Sequence, residues 1–280
     1  MRDLLVQMDG GQDDEARLGL AQALACGQEA HVTGLLLNPL PSAPEMPGFD
    51  AGVAAGELIA GMFKEAHRLG NEAQEQVRRR LARWSASYEL RRYDGYSLDL
   101  AAHAAREARW KDIFVAPLPS GERRQWRETV IAALFGSGRS VLLAPAGARA
   151  PASFGTVVIA WRDTRESARA VEQALPILVS ANRTALVVVE EPLARGARRT
   201  TEPEADAVRY LARHGAKLDV IFASSQNGDV GAILRDQCAR LSADLLVMGG
   251  YGHSRLREWV LGGVTEDMLD ASPTPVLMAH

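Results

Sequence analysis

The sequence has little cysteine and no long apolar run. Two cysteines occur in 280 residues. Cys26 and Cys238 lie far apart within apolar helical patterns, whereas metal sites and redox pairs place cysteines a few residues apart. We interpret both as packed thiols. No stretch of about twenty apolar residues is present, so no segment is predicted to span a bilayer. The first residues lack a signal-peptide hydrophobic core, which makes the cytoplasm the expected location.

The chain also lacks a large excess of charge of either sign. Its formal net charge is −3, with 24% charged and 47% hydrophobic residues. These values are typical of soluble globular proteins. They give no electrostatic reason to expect nucleic acid or an anionic membrane as a partner, since both usually bind a basic face.

Several catalytic motifs are missing. The sequence contains no His-Glu-x-x-His, no Cys-x-x-Cys, no serine-nucleophile elbow and no G-x-x-x-x-G-K-[ST] loop. Metal-dependent or triad hydrolysis and efficient ATPase activity are therefore not predicted. A slow nucleotide hydrolase would have to use Asp163, His253 or Glu266, and none of these is in a recognisable catalytic pattern.

An internal repeat is present. Residues 4–8 form a short apolar run followed by apolar residues at helical spacing, and residues 157–161 open the second half in the same way. Each pattern predicts a buried strand, a turn and an amphipathic helix. The order then continues in both copies through these corresponding segments: 32–37 and 185–189, 65–85 and 204–214, 88–92 and 218–222, 98–109 and 230–241, 112–115 and 244–247, 140–143 and 275–278.

Strands that alternate with helices, twice over, predict an α/β fold with two tandem open parallel-sheet sandwiches of five strands each. We place the domains at residues 1–147 and 152–280, because the segment between them is short and rich in proline, glycine and alanine. The copies differ most at residues 39–61, which we interpret as a loop insertion in the first copy.

A glycine-rich segment follows the predicted strand at 244–247. Open α/β sheets bind ligands at the carboxyl ends of their strands. Gly249 and Gly252 would let backbone N–H groups approach an anion closely. Gly262 and Gly263 open the last predicted helix, whose first N–H groups are free and carry the positive end of the dipole. The segment predicts a phosphate-binding loop, and a tight strand-to-helix connection is the alternative.

The spacing of Gly249, Gly252 and Gly262 resembles the nucleotide-binding branch of the universal stress protein family, whose signature is G-x2-G-x9-G followed by serine or threonine. The resemblance covers the second half and extends more weakly to the first. It implies a Rossmann-like fold and binding of ATP or AMP, with or without Mg²⁺. Gly263 stands where the family has a hydroxyl, and Thr265 is the candidate replacement.

The resemblance also implies the rest of the site. Ala160 and Val189 match positions that line the adenine pocket. Arg162 stands where the family has an aspartate, and it either pairs with a phosphate or points to solvent. The complete set of implied nucleotide-binding residues is Ala160, Arg162, Val189, Gly249, Gly252, His253, Gly262, Gly263, Val264 and Thr265.

The first copy departs from this pattern. Asp9 is the expected acidic residue, but Pro117 and Pro119 remove N–H donors, and Arg127 and Glu128 replace the glycine pair at the helix start. We predict that this copy does not bind nucleotide in the usual mode. Residues 136–138 are predicted to end the helix that follows.

Taken together, the resemblance implies a regulatory or stress-response protein whose C-terminal domain binds an adenine nucleotide and whose ligand state modulates contacts with a protein partner. The alternative is a protein-interaction module of the same fold without a ligand, which Arg162 and Gly263 favour. The family's use of the last strand for pairing implies a homodimer, or a pseudo-dimer of the two halves within the chain.

Overall fold

The strands and helices follow one another twice in the same order. The computed structural model describes residues 1–25, 29–42, 53–190, 203–224, 229–250 and 263–280. The first half contains β1 (Asp3–Met8), α1 (Asp14–Ala25), β2 (His31–Pro39), α2 (Val53–Leu81), β3 (Tyr88–Gly95), α3 (Ser97–Ala108), β4 (Ile113–Pro117), a 3-10 helix (Gly121–Trp126), α4 (Arg127–Gly136) and β5 (Ser140–Ala144). The second half contains β6 (Thr156–Trp161), α5 (Arg165–Ser180), β7 (Arg183–Glu190), α6 (Pro203–Arg213), β8 (Leu218–Ser224), α7 (Val230–Leu241), β9 (Leu245–Gly249), α8 (Gly263–Ala271) and β10 (Val276–Ala279).

The ten strands of the described residues belong to one sheet in the order β3-β2-β1-β4-β5-β10-β9-β6-β7-β8. The pairs within each half are parallel, which confirms the predicted α/β fold. The two five-stranded sheets are joined by antiparallel pairing of β5 with β10, where Leu142 lies opposite Leu277. This pairing satisfies backbone groups that two open edges would otherwise expose. The halves therefore form the intrachain pair that the family resemblance offered as one alternative.

The helices cover both faces of the sheet, because the central strands are apolar on both sides. On one face, Leu4, Val6 and Leu277 belong to a core layer that includes residues of α1, α2, α5 and α6. On the other face, Leu5 and Phe114 belong to a layer that includes residues of α3, α4, α7 and α8. Each layer contains residues from both halves, so the cores are continuous across the β5–β10 junction.

The predicted loop insertion at residues 39–61 is wrong for its last part. Helix α2 begins at Val53 and runs for 29 residues, and so residues 53–61 are helical. Gly56 and Gly61 made this stretch look like a loop, since each glycine costs a helix about 1 kcal/mol relative to alanine. A long helix tolerates that cost, because propagation adds one hydrogen bond per residue once the helix is nucleated. Residues 43–52 lie outside the described residues.

The segment between the halves is packed against α1. The backbone N–H of Gly147 donates to the Asp13 carboxylate at 3.0 Å. A Cβ on Gly19 would lie 2.4 Å from the Cβ of Ala150, so this glycine permits the segment to cross α1 closely. The predicted helix stop is also found, with α4 ending at Gly136 and Gly138 having a φ of 73°.

Candidate functional site

The direction of the sheet order reverses at β6 in the second half. Strand β6 has β7 on one side and β9 on the other, and Ala160 near its carboxyl end lies beside Met248 of β9. Helix α5 follows β6 onto one face, whereas α8 follows β9 onto the other. Such a reversal leaves a crevice at the carboxyl ends of the strands, which is where open α/β sheets bind ligands.

Three of the residues implied by the resemblance share one side of this crevice. Ala160 of β6, Val189 of β7 and Val264 of α8 are all partly buried and pack against the core layer that includes α7 and α8. Small and aliphatic side chains of this kind suit a flat apolar ring. Ala160 and Val189, which the resemblance assigns to the adenine pocket, therefore lie on the same face of the sheet as Val264.

Trp161 lies on the opposite face. Its side chain packs against the layer that includes α5 and α6. It lines a groove of about 840 Å³ together with Val171, Ala207 and Tyr210. The indole Nε1 is buried and has no hydrogen-bond partner among the described residues. The groove was not predicted from the sequence. The available signal was the length of the predicted helix at 204–214, which is shorter than its counterpart at 65–85 in the first copy.

Arg162 and Gly249 have different surroundings, since Arg162 is exposed and Gly249 is closely packed against α5. The Arg162 side chain is exposed. At Gly249, a Cβ would lie 2.6 Å from the backbone nitrogen of Ser167 and 2.7 Å from the carbonyl carbon of Glu166. Gly249 is thus required for the first turn of α5 to pack against the end of β9. This glycine has a structural function whether or not a ligand binds.

Gly263 is the first residue of α8 and is exposed. A Cβ there would meet no atom of the described residues within 4 Å. Thr265 is 4% exposed and already makes an interaction. Gly252, His253 and Gly262 lie outside the described residues.

Helix α8 contacts the first half of the chain. The Arg127 guanidinium forms an ion pair with Glu266 and lies 3.1 Å from a carboxylate oxygen of Asp270. A Cβ on Gly250 would lie 2.9 Å from Leu134, which shows how closely β9 approaches α4. Helix α8 and the end of β9 therefore both pack against α4 of the first half.

In the first half, the residues at the end of β1 and the start of α1 form an ion-pair cluster. Arg17, 1% exposed, forms salt bridges with Asp9 at 2.8 Å and with Asp14 at 2.5 Å. Asp9 also accepts a hydrogen bond from the Gly11 N–H at 2.8 Å. Trp126, 6% exposed, ends the 3-10 helix just before α4. Asp9, the expected acidic residue of the first copy, is thus paired with a buried arginine.

The pKa values of Asp9 and Asp14 are shifted in opposite directions. Burial by itself raises the pKa of Asp9, but the Arg17 guanidinium and the Gly11 N–H offset it and hold that pKa below its ordinary value. Burial raises the pKa of Asp14 above its ordinary value despite the contact with Arg17. Asp9 is therefore the ionised partner of the buried guanidinium.

Two kinds of feature are absent from the described residues. No group of three or more His, Cys, Asp and Glu side chains is arranged to hold a metal ion in that part of the chain. Among the helices described, none is both long enough and apolar enough to cross a membrane.

Comparisons with known proteins agree with this geometry. Residues 153–280 match the model of the universal stress protein family. A universal stress protein from Archaeoglobus fulgidus DSM 4304 superposes with a TM-score of 0.69 at 14% identity, covering 99% of this chain and 95% of that one. A protein from Pseudomonas aeruginosa UCBPP-PA14 that is named as a universal stress protein gives a TM-score of 0.58 at 17% identity, covering 100% and 93%. A search of curated sequences found no match. The structural likeness shows that both halves have the same fold.

Proposed function

We propose that the domain at residues 153–280, which matches the model of the universal stress protein family, binds an adenine nucleotide, ATP or AMP, at the carboxyl ends of β6 and β9. The protein would act in the cytoplasm as a stress-response regulator, with the ligand state changing its contacts with a protein partner. The main support is that Ala160, Val189 and Val264 lie on the face where α8 begins. An apolar surface next to a helix start offers separate places for a base and for phosphates.

The chemistry of the site fits such a ligand. The base packs against Ala160 and Val189, because these side chains leave room for a planar ring. The phosphates lie at the start of α8, where the first N–H groups of a helix and its dipole favour an anion. Gly263 lets the phosphate approach, since no described atom lies within 4 Å of its Cβ position. Any Mg²⁺ would be held through the phosphates, as this ion commonly keeps its waters.

Hydrolysis is not part of the proposal. Glu266, one of the candidate bases, is ion-paired with Arg127. Asp163 lines the groove on the face of α5 and α6, away from Ala160 and Val189. A general base must be within hydrogen-bonding reach of the water that it activates. To assign hydrolysis to this chain, its rate of nucleotide turnover would have to exceed that of a variant with the glycine loop replaced.

A protein-interaction module of the same fold is the second candidate. The contact of Gly249 with Ser167 favours it, because packing alone explains one glycine of the loop. Its expectation is that partner binding persists when Gly252 and Gly262 are replaced by bulky residues. A homodimer also stays a prediction, since β5 and β10 already pair within one chain.

Calorimetric titration with ATP and with AMP tests the nucleotide proposal. We expect Gly263→Asp to weaken binding by about tenfold or more, because it adds a carboxylate where the phosphates bind. Gly61→Asp is the matched control, since a Cβ there also meets no described atom within 4 Å but lies on α2. Equal affinities for both variants would contradict the site. If the wild-type chain gives no heat of binding at millimolar nucleotide, nucleotide binding is excluded and the protein-interaction module is the remaining candidate.

A further inference from the structure

Helix α8 carries negative charge close to the place proposed for the phosphates. Its 9 residues include Glu266, Asp267 and Asp270 and contain no basic residue. Glu266 lies three residues after Gly263, about one turn along the helix. A carboxylate in the first turn is favourable for the helix itself, but it repels a second anion at the same end. By its own sequence α8 is therefore a poor site for a phosphate.

A residue of the other half compensates this charge. Arg127, the first residue of α4, forms an ion pair with Glu266 and contacts Asp270 at 3.1 Å. Its side chain is 16% exposed. Solvent therefore screens the interaction less than it would at an open surface.

Arg127 stands at a position of the repeat where the two copies differ. In the first copy, Arg127 and Glu128 stand at the helix start where the second copy has Gly262 and Gly263. Helices α4 and α8 pack on the same face of the sheet, following the strands β4 and β9. The β5–β10 junction brings the two helices next to each other. The first copy thus has Arg127 where the second copy has a glycine, and this arginine contacts α8, the helix that begins at those glycines.

We propose that Arg127 is a positioning residue of the nucleotide site in the second half, where it orients α8 and neutralises Glu266 so that the helix start accepts a phosphate. The site is then complete only when both halves are present. This inference rests on the proposed function and adds a residue that neither the glycine spacing nor the family match assigns.

Calorimetric titration of the full chain with ATP tests it. We expect Arg127→Met to weaken binding about three- to tenfold, from the size of a charge effect at a helix terminus. Arg127→Lys should remain within about twofold of the wild type, because it keeps the charge. The double variant Arg127→Met with Glu266→Gln should bind about as well as Glu266→Gln alone. The loss in Arg127→Met should also shrink near 1 M salt, where the Debye length is about 3 Å.

Arg169→Met is the matched control. Arg169 also joins the halves, but it donates to the Gly138 carbonyl at 2.8 Å, in the turn after α4, rather than to a residue of α8. We expect no change in affinity. Circular dichroism of each variant checks that it is folded at the temperature of titration.

The outcomes separate this inference from the proposed function. A wild-type chain that binds no nucleotide would remove both. A wild-type chain and Arg127→Met that bind equally well would overturn only the function of Arg127. Weakened binding that Glu266→Gln does not restore would contradict charge compensation.

Discussion

The guanidinium of Arg17 lies 2.8 Å from a carboxylate oxygen of Asp9, at the carboxyl end of β1. Arg17 is 1% exposed and also contacts Asp14, which is fully buried. A second arginine, Arg80, approaches Asp14 at 3.3 Å. The acidic residue of the first copy is thus held by a buried arginine.

Replacing Arg17 by methionine should destabilise the protein by up to about 3–5 kcal/mol, because Asp9 loses its arginine and the buried Asp14 is left with Arg80. The free energy of unfolding in urea at neutral pH measures this change. Arg78→Met is the control, since the Arg78 side chain is 61% exposed and lies 3.9 Å from Glu75. It should change stability by less than about 0.5 kcal/mol.

The cost of Arg17→Met should depend on pH. In the wild type, the lowered pKa of Asp9 contributes stability above its unfolded-state pKa, and this contribution is lost as pH falls through the folded-state value. Without Arg17, burial raises the pKa of that carboxyl, and protonation relieves the buried charge. The difference between variant and wild type should therefore be smaller near about pH 4 than near about pH 7. A difference that is constant with pH would contradict the charge account.

Two glycines of the second half should respond differently to alanine. Gly249→Ala places a Cβ 2.6 Å from the Ser167 nitrogen, and so we expect a loss of about 1–3 kcal/mol from the displaced α5. Gly263→Ala meets no described atom within 4 Å, and it should leave stability unchanged or raise it by up to about 1 kcal/mol. Urea unfolding without nucleotide compares the pair. Equal losses would show that the packing at Gly249 is not as described.

The junction between the halves should be important for the stability of the whole chain. Leu277 of β10 is fully buried opposite Leu142 of β5. Leu277→Ala should cost about 2–5 kcal/mol. Because each core layer is continuous, the unfolding transitions followed by circular dichroism and by tryptophan fluorescence should still coincide. Leu98→Ala is the control, since Leu98 is 73% exposed. A separate early transition of one half would contradict the continuous core.

Cys238 should be unreactive in the folded protein. The thiol is buried, and burial raises its pKa to about 12 although a hydrogen bond with Thr274 lowers it. At about pH 8 almost no thiolate is then present. In a Cys26→Ser background, a thiol reagent should label no site in buffer and one in urea. Rapid labelling in buffer would contradict the burial of Cys238.

Much of the fold was predictable because the repeat is periodic and its strands are buried on both faces. The run at residues 4–8 became β1 (Asp3–Met8), and the run at 157–161 became β6 (Thr156–Trp161). The start of α2 was missed, since glycine and alanine in the stretch 51–61 do not produce the apolar period that marks a helix. Tertiary packing and the length of α2 decided that element.

Less of the site was predictable. The family resemblance assigned Ala160, Val189 and Val264, and these three do share a face. The packing function of Gly249 depends on where α5 begins relative to β9, a distance that no local sequence pattern contains. The ion pair of Arg127 with Glu266 joins residues 139 positions apart and depends on the β5–β10 pairing.

The number of nucleotides bound per chain is the most direct test of the account. Equilibrium dialysis of the purified protein with labelled ATP, and separately with AMP, measures it. We predict saturation at one nucleotide per chain, because Asp9 of the first copy is ion-paired with Arg17, whereas Gly263 at the start of α8 is exposed. Two nucleotides per chain would contradict the difference between the copies, and none at millimolar ligand would contradict nucleotide binding itself.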